Sequence, residues 1–577
     1  MNLKQYVPLL DWLPHYDRRD LRGDLSAGLT VGVMLIPQGM AYSMLAGLPP
    51  IYGLYASTLP LILYAIFGTS RQLAVGPVAM VALLISSGVG AIAPVGSDEF
   101  IGLAILLALM VGILQFSLGL FRLGFLVNFL SHPVISGFTS AAALIIGLSQ
   151  LKHLLGIDIP RSNYIHEILI GAAQNIGEVH LPTLVLGVAA IALIMTLKRI
   201  NKSIPGPLVV VVLGILVVYF FKLADGGMKI VQEVPSGLPS PALPAMNWAQ
   251  ISELMPIALT IGLVGFMESI AVAKAIQAKH KNYEVDPNQE LIGLGLANIG
   301  GAVFKAFPTT GGFSRTAVND QAGARTGLAS IISAALIILT LLFLTPLFYF
   351  LPKAILASVI MVAVFGLIDF HEAKHLWQTD KKDFAMLMVT FLATLSLGIE
   401  EGIAVGVVLS LAMVIYRVTY PHMAVEGRLP GTDQFRNVDR FSDAHSEEDL
   451  LIVRLDAQLF FANTNYFREK LAKWEAQKGP GLKLVVLNAK AINGLDSSAV
   501  HMLHDLAHEY RNRGIQLYVS GLKGPLRDVA SRSGLVEEIG RENFFYDLAD
   551  AVNHYRHGKP RVAEHVVMQT NDSKGHA

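Results

Sequence analysis

Arg315 and Glu268 are the ionisable residues best placed to do chemistry, because each is set inside an apolar run. A guanidinium at membrane depth costs about 3 kcal/mol on insertion scales, so Arg315 must be paired or face a wet site. Two readings stand for it: a clamp onto a carboxylate or backbone carbonyls, and a binding group for an anion. Phe313 and Ser314 flank it where a helix begins and amide and hydroxyl donors are free. Glu268, in Gly265-Phe266-Met267-Glu268-Ser269, has no charge within a turn of it. It reads either as an ion-pair partner of Arg315 kept for packing or as a proton carrier. An anion arriving beside Arg315 offsets the guanidinium's field and so favours proton uptake at Glu268. Gln38 sits beside Pro37 in Ile36-Pro37-Gln38-Gly39-Met40-Ala41-Tyr42, where it either repairs the backbone that the proline frees or meets a ligand. Tyr42 lies one turn on and shares its face. Asn319 and Asp320 read as capping residues at the inner end of the Arg315 helix.

The elements that position these groups are unusual for so apolar a region. Lys305 to Asp320 carries Pro308, two threonines and the Gly311-Gly312 pair before a helix-forming run. That describes a helix beginning partway across a membrane, which survives only where it lines a cavity or is buried in protein. Its free N–H groups and positive dipole end favour an anion. Ser70-Arg71-Gln72-Leu73-Ala74-Val75-Gly76-Pro77-Val78-Ala79 has the same form: a polar extended lead, a glycine, then a helix. Matching interrupted segments in two halves of a chain point to a transporter's binding site near the midplane.

The wider sequence fits that placement. Of 577 residues 53% are hydrophobic and 15% charged, and the mean hydropathy is +0.52; soluble domains carry about a quarter charged residues. Lys+Arg and Asp+Glu both number 44, so net charge gives no sign of a nucleic-acid partner. With no cysteine, thiolate metal sites and cysteine nucleophiles are excluded. No nucleotide-binding loop, metal-ligand spacing or triad spacing occurs, which leaves no cofactor or metal to expect.

Apolar windows fall at about 25–45, 51–67, 76–93, 100–121, 133–150, 181–198 and 207–222, then 252–278, 288–304, 311–322, 326–350, 353–370, 384–398 and 400–419. Seven and seven make two repeats of opposite orientation. Segment 163–178 is amphipathic and belongs at the interface. Basic residues collect on one side, at Arg71, Arg122, Lys198, Arg199, Lys202, Lys274, Lys279, Lys281, Arg325, Lys374, Lys381 and Lys382. This inside-positive pattern puts both termini in the cytoplasm. The expected organisation is a cytoplasmic segment 1–24, a first repeat 25–222, a loop 223–251, a second repeat 252–420, an α/β domain 421–560 and a loose tail 561–577. Within the α/β domain, 451–455, 484–487 and 515–519 read as strands and 462–478, 496–513, 524–534 and 545–556 as helices. Asp496 is the expected N-cap of the second helix.

These residues together resemble the sulfate permease (SulP) family, also called solute carrier family 26. The resemblance rests on Ile36 to Tyr42, on Leu48-Pro49-Pro50-Ile51-Tyr52-Gly53-Leu54-Tyr55, on Ala74 to Ala79 and on Gly312-Phe313-Ser314-Arg315-Thr316-Ala317-Val318-Asn319. The C-terminal part looks like a STAS domain through Leu459-Phe460-Phe461-Ala462-Asn463 and Leu495-Asp496-Ser497-Ser498. It departs from the anti-sigma-factor antagonist pattern at Ala499 and Asn488, which weakens a phosphorylation role for Ser497.

The resemblance implies a mainly α membrane protein of about 14 transmembrane segments. Two inverted seven-segment repeats form a core (segments 1–4 and 8–11) and a gate (5–7 and 12–14), followed by a cytoplasmic α/β STAS domain. It implies an elevator-like mechanism in a homodimer. The anion site is then made by Gln38, Tyr42, the backbone at Val78 and Ala79, and Phe313, Ser314 and Arg315. Glu268 matches the acidic position associated with proton coupling, where a sodium-coupled bicarbonate branch has Asp. The expected function is secondary active inorganic anion transport, as proton-coupled sulfate uptake across a bacterial inner membrane, and not enzymatic. Expected partners are a small anion, protons, the bilayer, a second copy, and a regulatory protein or nucleotide at the STAS domain. The alternatives are bicarbonate or C4-dicarboxylate transport, anion exchange and, from a different class, an anion channel or a STAS-linked sensor.

Overall fold

The computed structural model describes residues 6–125, 131–159, 165–200, 205–280 and 283–558. Lys202, Lys281 and the expected tail 561–577 lie outside them. The chain forms two compact units divided between Ser410 and Leu411.

The first unit is helical. Its first half contains α1 (Arg18–Ala46), α2 (Pro50–Tyr55), α3 (Leu59–Phe67), the two-residue strand β1 (Val75–Gly76), α4 (Ala79–Gly88), α5 (Asp98–Leu120), α6 (His132–Ser149), α7 (Leu181–Ile200) and α8 (Gly206–Phe221). Its second half contains α9 (Trp248–His280), α10 (Pro287–Val303), the two-residue β2 (Thr310–Gly311), α11 (Phe313–Gln321), α12 (Leu328–Leu339), α13 (Lys353–Phe365), α14 (Lys381–Leu397) and the part of α15 (Ile399–Thr419) up to Ser410. Every one of the fourteen apolar windows holds a helix. Among the described residues nine helices are long and apolar enough to span a bilayer, and α4 and α8 are shorter apolar ones. The remaining windows are α10, α11 and α14. The amphipathic segment forms a separate helix, Ile165–Gln174, too short to cross.

Local chemistry sets the ends of these helices. Asp17, Ser97 and Asp286 accept backbone N–H bonds in the first turns of α1, α5 and α10. Gly47, at φ 91°, ends α1 in the left-handed conformation. The outer turn that follows brings Gly53 of α2 against Gly39 of α1; a Cβ on Gly53 would lie 1.8 Å from the Gly39 carbonyl oxygen.

The packing repeats with a seven-window shift. α5 packs on α10, as α12 packs on α3; α1 packs on α12, as α9 packs on α5; α6 packs on α14, as α13 packs on α7. The first two relations build a bundle from windows 1–4 and 8–11. The third belongs to a second bundle of the remaining windows. Gly402 and Gly406 seat α15 against Thr394 of α14 and Val134 of α6.

The second unit carries a six-stranded sheet of β3 (Met423–Arg428), β4 (Phe435–Asn437), β5 (Leu450–Leu455), β6 (Leu484–Asn488), β7 (Gln516–Ser520) and β8 (Phe544–Phe545) in the order β4-β3-β5-β6-β7-β8. β5 to β8 are parallel, and β3 runs antiparallel to both its neighbours. Helices Thr464–Lys478, Ser497–Arg513 and Gly524–Arg532 cover one face and Leu548–His557 the other. The three expected strands and four expected helices are present. Asp496 caps its helix, accepting from the Ala499 amide at 2.8 Å. β3, β4, β8 and the helix Leu535–Ile539 are additions: the last three are two to five residues long, and β3 has buried residues on both faces, so neither alternation nor a helical stripe marks them.

Candidate functional site

The two polar leads meet. β1 and β2 pair antiparallel, Val75 opposite Gly311 and Gly76 opposite Thr310, and the Gly312 amide donates to the Ala74 carbonyl at 3.1 Å. Gly76 has φ +151°, a conformation that other residues rarely adopt. From this ribbon α4 and α11 depart, and neither N-terminus has a side-chain cap. Their first-turn amides are the free donors that favour an anion.

Arg315 lies in the first turn of α11 and is 3% exposed. It folds back over Gly312, where a Cβ would come within 2.9 Å of the guanidinium carbon. One of its N–H groups clamps the Pro77 carbonyl at 2.5 Å, so the clamp reading is realised on a backbone carbonyl of the opposite lead. Its Nε and second terminal nitrogen are buried and have no partner. Glu268 of α9 lies within electrostatic reach of Arg315 and Tyr42. It forms no ion pair with Arg315, which removes the packing-salt-bridge reading, and its Oε2 is buried without a hydrogen bond. Gln38 and Tyr42 of α1 are buried, and Gln38 Oε1 also lacks a partner. Val78 and Ala79 are buried at the start of α4. Phe313 is 60% exposed and Ser314 is exposed, so the start of α11 opens outward from the bundle.

Asn319 and Asp320 are not caps. Asn319 Nδ2 donates to the Gln72 carbonyl at 2.8 Å, and Asp320 is held by Lys279 and His280 at the end of α9. A cap satisfies its own helix; these two tie α11 to the other lead and to α9.

Further residues fix the leads. Asn298 of α10 exchanges hydrogen bonds with the Thr309 backbone, at 2.7 Å from its amide and 3.0 Å to its carbonyl, and donates to Gln115 of α5. Thr316 Oγ1 accepts from the Ala74 amide at 3.0 Å. Glu290, fully buried, accepts from Tyr64, from the Thr69 amide and hydroxyl, and from the Ser70 amide. Asp24, equally buried, accepts from Tyr16, from the Arg325 amide, and from the Thr326 amide and hydroxyl. These groups escape notice in the sequence, although a lone Asn298 inside an apolar run is itself a signal.

The assembled site therefore offers cationic and amide donors beside a carboxylate with a free oxygen. Comparison with known proteins points the same way. The sulfate permease family model matches residues 21–390, and the STAS domain model matches 442–551. Sulfate transporter 4.1, chloroplastic, of Arabidopsis thaliana is 43% identical over 94% of this chain and 82% of its own length. High affinity sulfate transporter 2 of Stylosanthes hamata is 34% identical over 96% and 87%. The solved structure of the murine Slc26a9 anion transporter in the inward-facing state superposes with TM-score 0.89 at 28% identity, covering 96% of this chain and 94% of that one. The transmembrane domain of the cyanobacterial bicarbonate transporter BicA shares the fold, at TM-score 0.60 and 23% identity over 69% of this chain and 98% of its own.

Proposed function

The chain belongs to the sulfate permease family, and from that premise we propose that it takes up sulfate together with protons. As a multi-pass membrane anion transporter it is not an enzyme. What supports the finer reading is that Arg315 and Glu268, within reach of each other, and Gln38, one turn from Tyr42, each keep a buried polar atom without a partner, while two helix starts are uncapped. Buried polar groups are nearly always satisfied, so unpaired donors and a free carboxylate oxygen together describe a place for ligands. Sulfate bound there accepts from the Arg315 guanidinium and from first-turn amides of α4 and α11. A proton on Glu268 removes the like charge that would otherwise repel the anion.

The bundle of windows 1–4 and 8–11, which carries the whole site, is proposed to move as one body against the other. A homodimer is proposed with it. The inside-positive loops support placing both termini in the cytoplasm. The plant relatives, one of them chloroplastic, lend no support to a bacterial inner membrane, nor to a regulatory protein or nucleotide at the STAS domain.

The test is sulfate uptake into proteoliposomes with and without an inward proton gradient. The gradient should drive accumulation in the wild type and not in Glu268→Gln. Uptake indifferent to the gradient, or preference for bicarbonate or a dicarboxylate in competition, would replace this reading.

A further inference from the structure

Ser269, the residue after Glu268, is fully buried and reaches the lead that enters α11. Thr310 Oγ1 donates to the Gly265 carbonyl at 2.5 Å, which commits the threonine's proton. The 2.7 Å contact between the two hydroxyls then runs from Ser269 to Thr310. Ser269 Oγ in turn accepts from the Gly311 amide at 2.8 Å. Gly265 permits the approach, since a Cβ there would meet Thr310 Oγ1 at 3.2 Å.

Gly311 is also the β2 residue opposite Val75, and Arg315 reaches across to the Pro77 carbonyl. One pair of hydroxyls thus fastens the backbone beside Glu268 to the lead into α11, which is itself paired with the other lead. We propose that Ser269 and Thr310 are positioning residues that transmit the protonation of Glu268 to the anion-binding ends of α4 and α11. This rests on the proton-coupled reading above. A proton arriving on Glu268 changes its attraction to Arg315 and with it the seat of α9; the hydroxyl pair carries that shift into the ribbon. Neither residue touches the anion in this scheme.

Few other charges can impose a pH dependence at Glu268. Arg315 acts on it directly, and Glu268 in turn acts on Tyr42. Among the elements packed on α9, α4 contributes no titratable residue, and α5 only Asp98 and Glu99 in its first turn. Glu290 of α10 is held by four donors, and Asp320 of α11 is paired with Lys279 and His280.

The experiment measures sulfate affinity against pH, together with thermal stability, for the purified full chain. It compares the wild type, Ser269→Ala, Thr310→Val, which keeps the volume and removes the hydroxyl, and Thr310→Ser, which keeps the hydroxyl. Wild-type affinity should strengthen on acidification. Ser269→Ala and Thr310→Val should lose most of that dependence, and Thr310→Ser should retain it. Should Ser269→Ala fail to fold, the two Thr310 variants carry the comparison. A lowered melting temperature with an unchanged pH profile in Thr310→Val would overturn the positioning role and leave the proton-coupled reading standing. A wild type whose affinity ignores pH would overturn the reading itself.

Discussion

Glu290 and Glu268 stand on neighbouring helices of the same bundle and are treated in opposite ways. Glu290 is enclosed and accepts from Tyr64, Thr69 and Ser70, so that it fixes the beginning of the lead into α4. Asp24 does the same for the turn after α11. Glu268 has no such donors around its buried Oε2, and its Arg315 neighbour spends one N–H on a backbone carbonyl. A carboxylate surrounded by fitted donors cannot change protonation without breaking structure. One with a free oxygen leaves no such bonds to break, and this difference is what the proposed role of Glu268 rests on.

Substitutions at these residues should separate the two carboxylates. The largest effect is expected from Glu290→Ala, which strands the Thr69 and Ser70 amides. Thermal unfolding in detergent should register a loss of about 3 kcal/mol or more, since each unsatisfied buried donor costs about 1–3 kcal/mol. A stable Glu290→Ala protein would remove the structural half of the comparison. Next is Arg315→Ala. Hydrogen bonds to charged groups contribute about 1.5–3 kcal/mol, so equilibrium binding should show sulfate affinity falling by roughly 10- to 100-fold. Unchanged affinity would leave Arg315 only its clamp on Pro77.

A smaller effect is expected at Asp449 in the second unit, where bonds from Arg556 and then Tyr555 hold the carboxyl below the usual carboxylate range. Its folded form is therefore favoured above that range, and the contribution is lost as acidification protonates the carboxylate. This pair is solvent-accessible, so Asp449→Asn should cost only about 0.2–1 kcal/mol at neutral pH, less in high salt, by thermal unfolding of the full chain. A stability change well below that of Glu290→Ala is expected for Glu268→Gln, because the side chain keeps its size and no backbone amide is stranded. A large loss there would put Glu268 in the same class as Glu290.

Much of this arrangement is legible along the chain. Fourteen apolar windows announce their helices by length and composition, and proline and glycine mark the two leads at Pro77 and at Pro308 to Gly312. Arg315 and Glu268 stand out because an ionisable group in an apolar run has few reasons to be there. What holds the leads is harder to read. Ser269, Thr310 and Thr316 are small hydroxyl residues of a kind common in membrane helices, and their partners lie far away in sequence. Asp320 resembles a helix-end residue until α9 brings Lys279 and His280 to it. In the second unit β4 and β8 are too short for a period to show, and their place follows from the strands beside them.

Whether Glu268 takes a proton when the anion binds is read out by adding sulfate to the purified protein in weakly buffered solution and recording proton uptake. The wild type should take up protons as sulfate binds, and Glu268→Gln should bind sulfate without doing so. Sulfate binding by the wild type with no proton uptake across the neutral to acidic range would contradict proton coupling at Glu268.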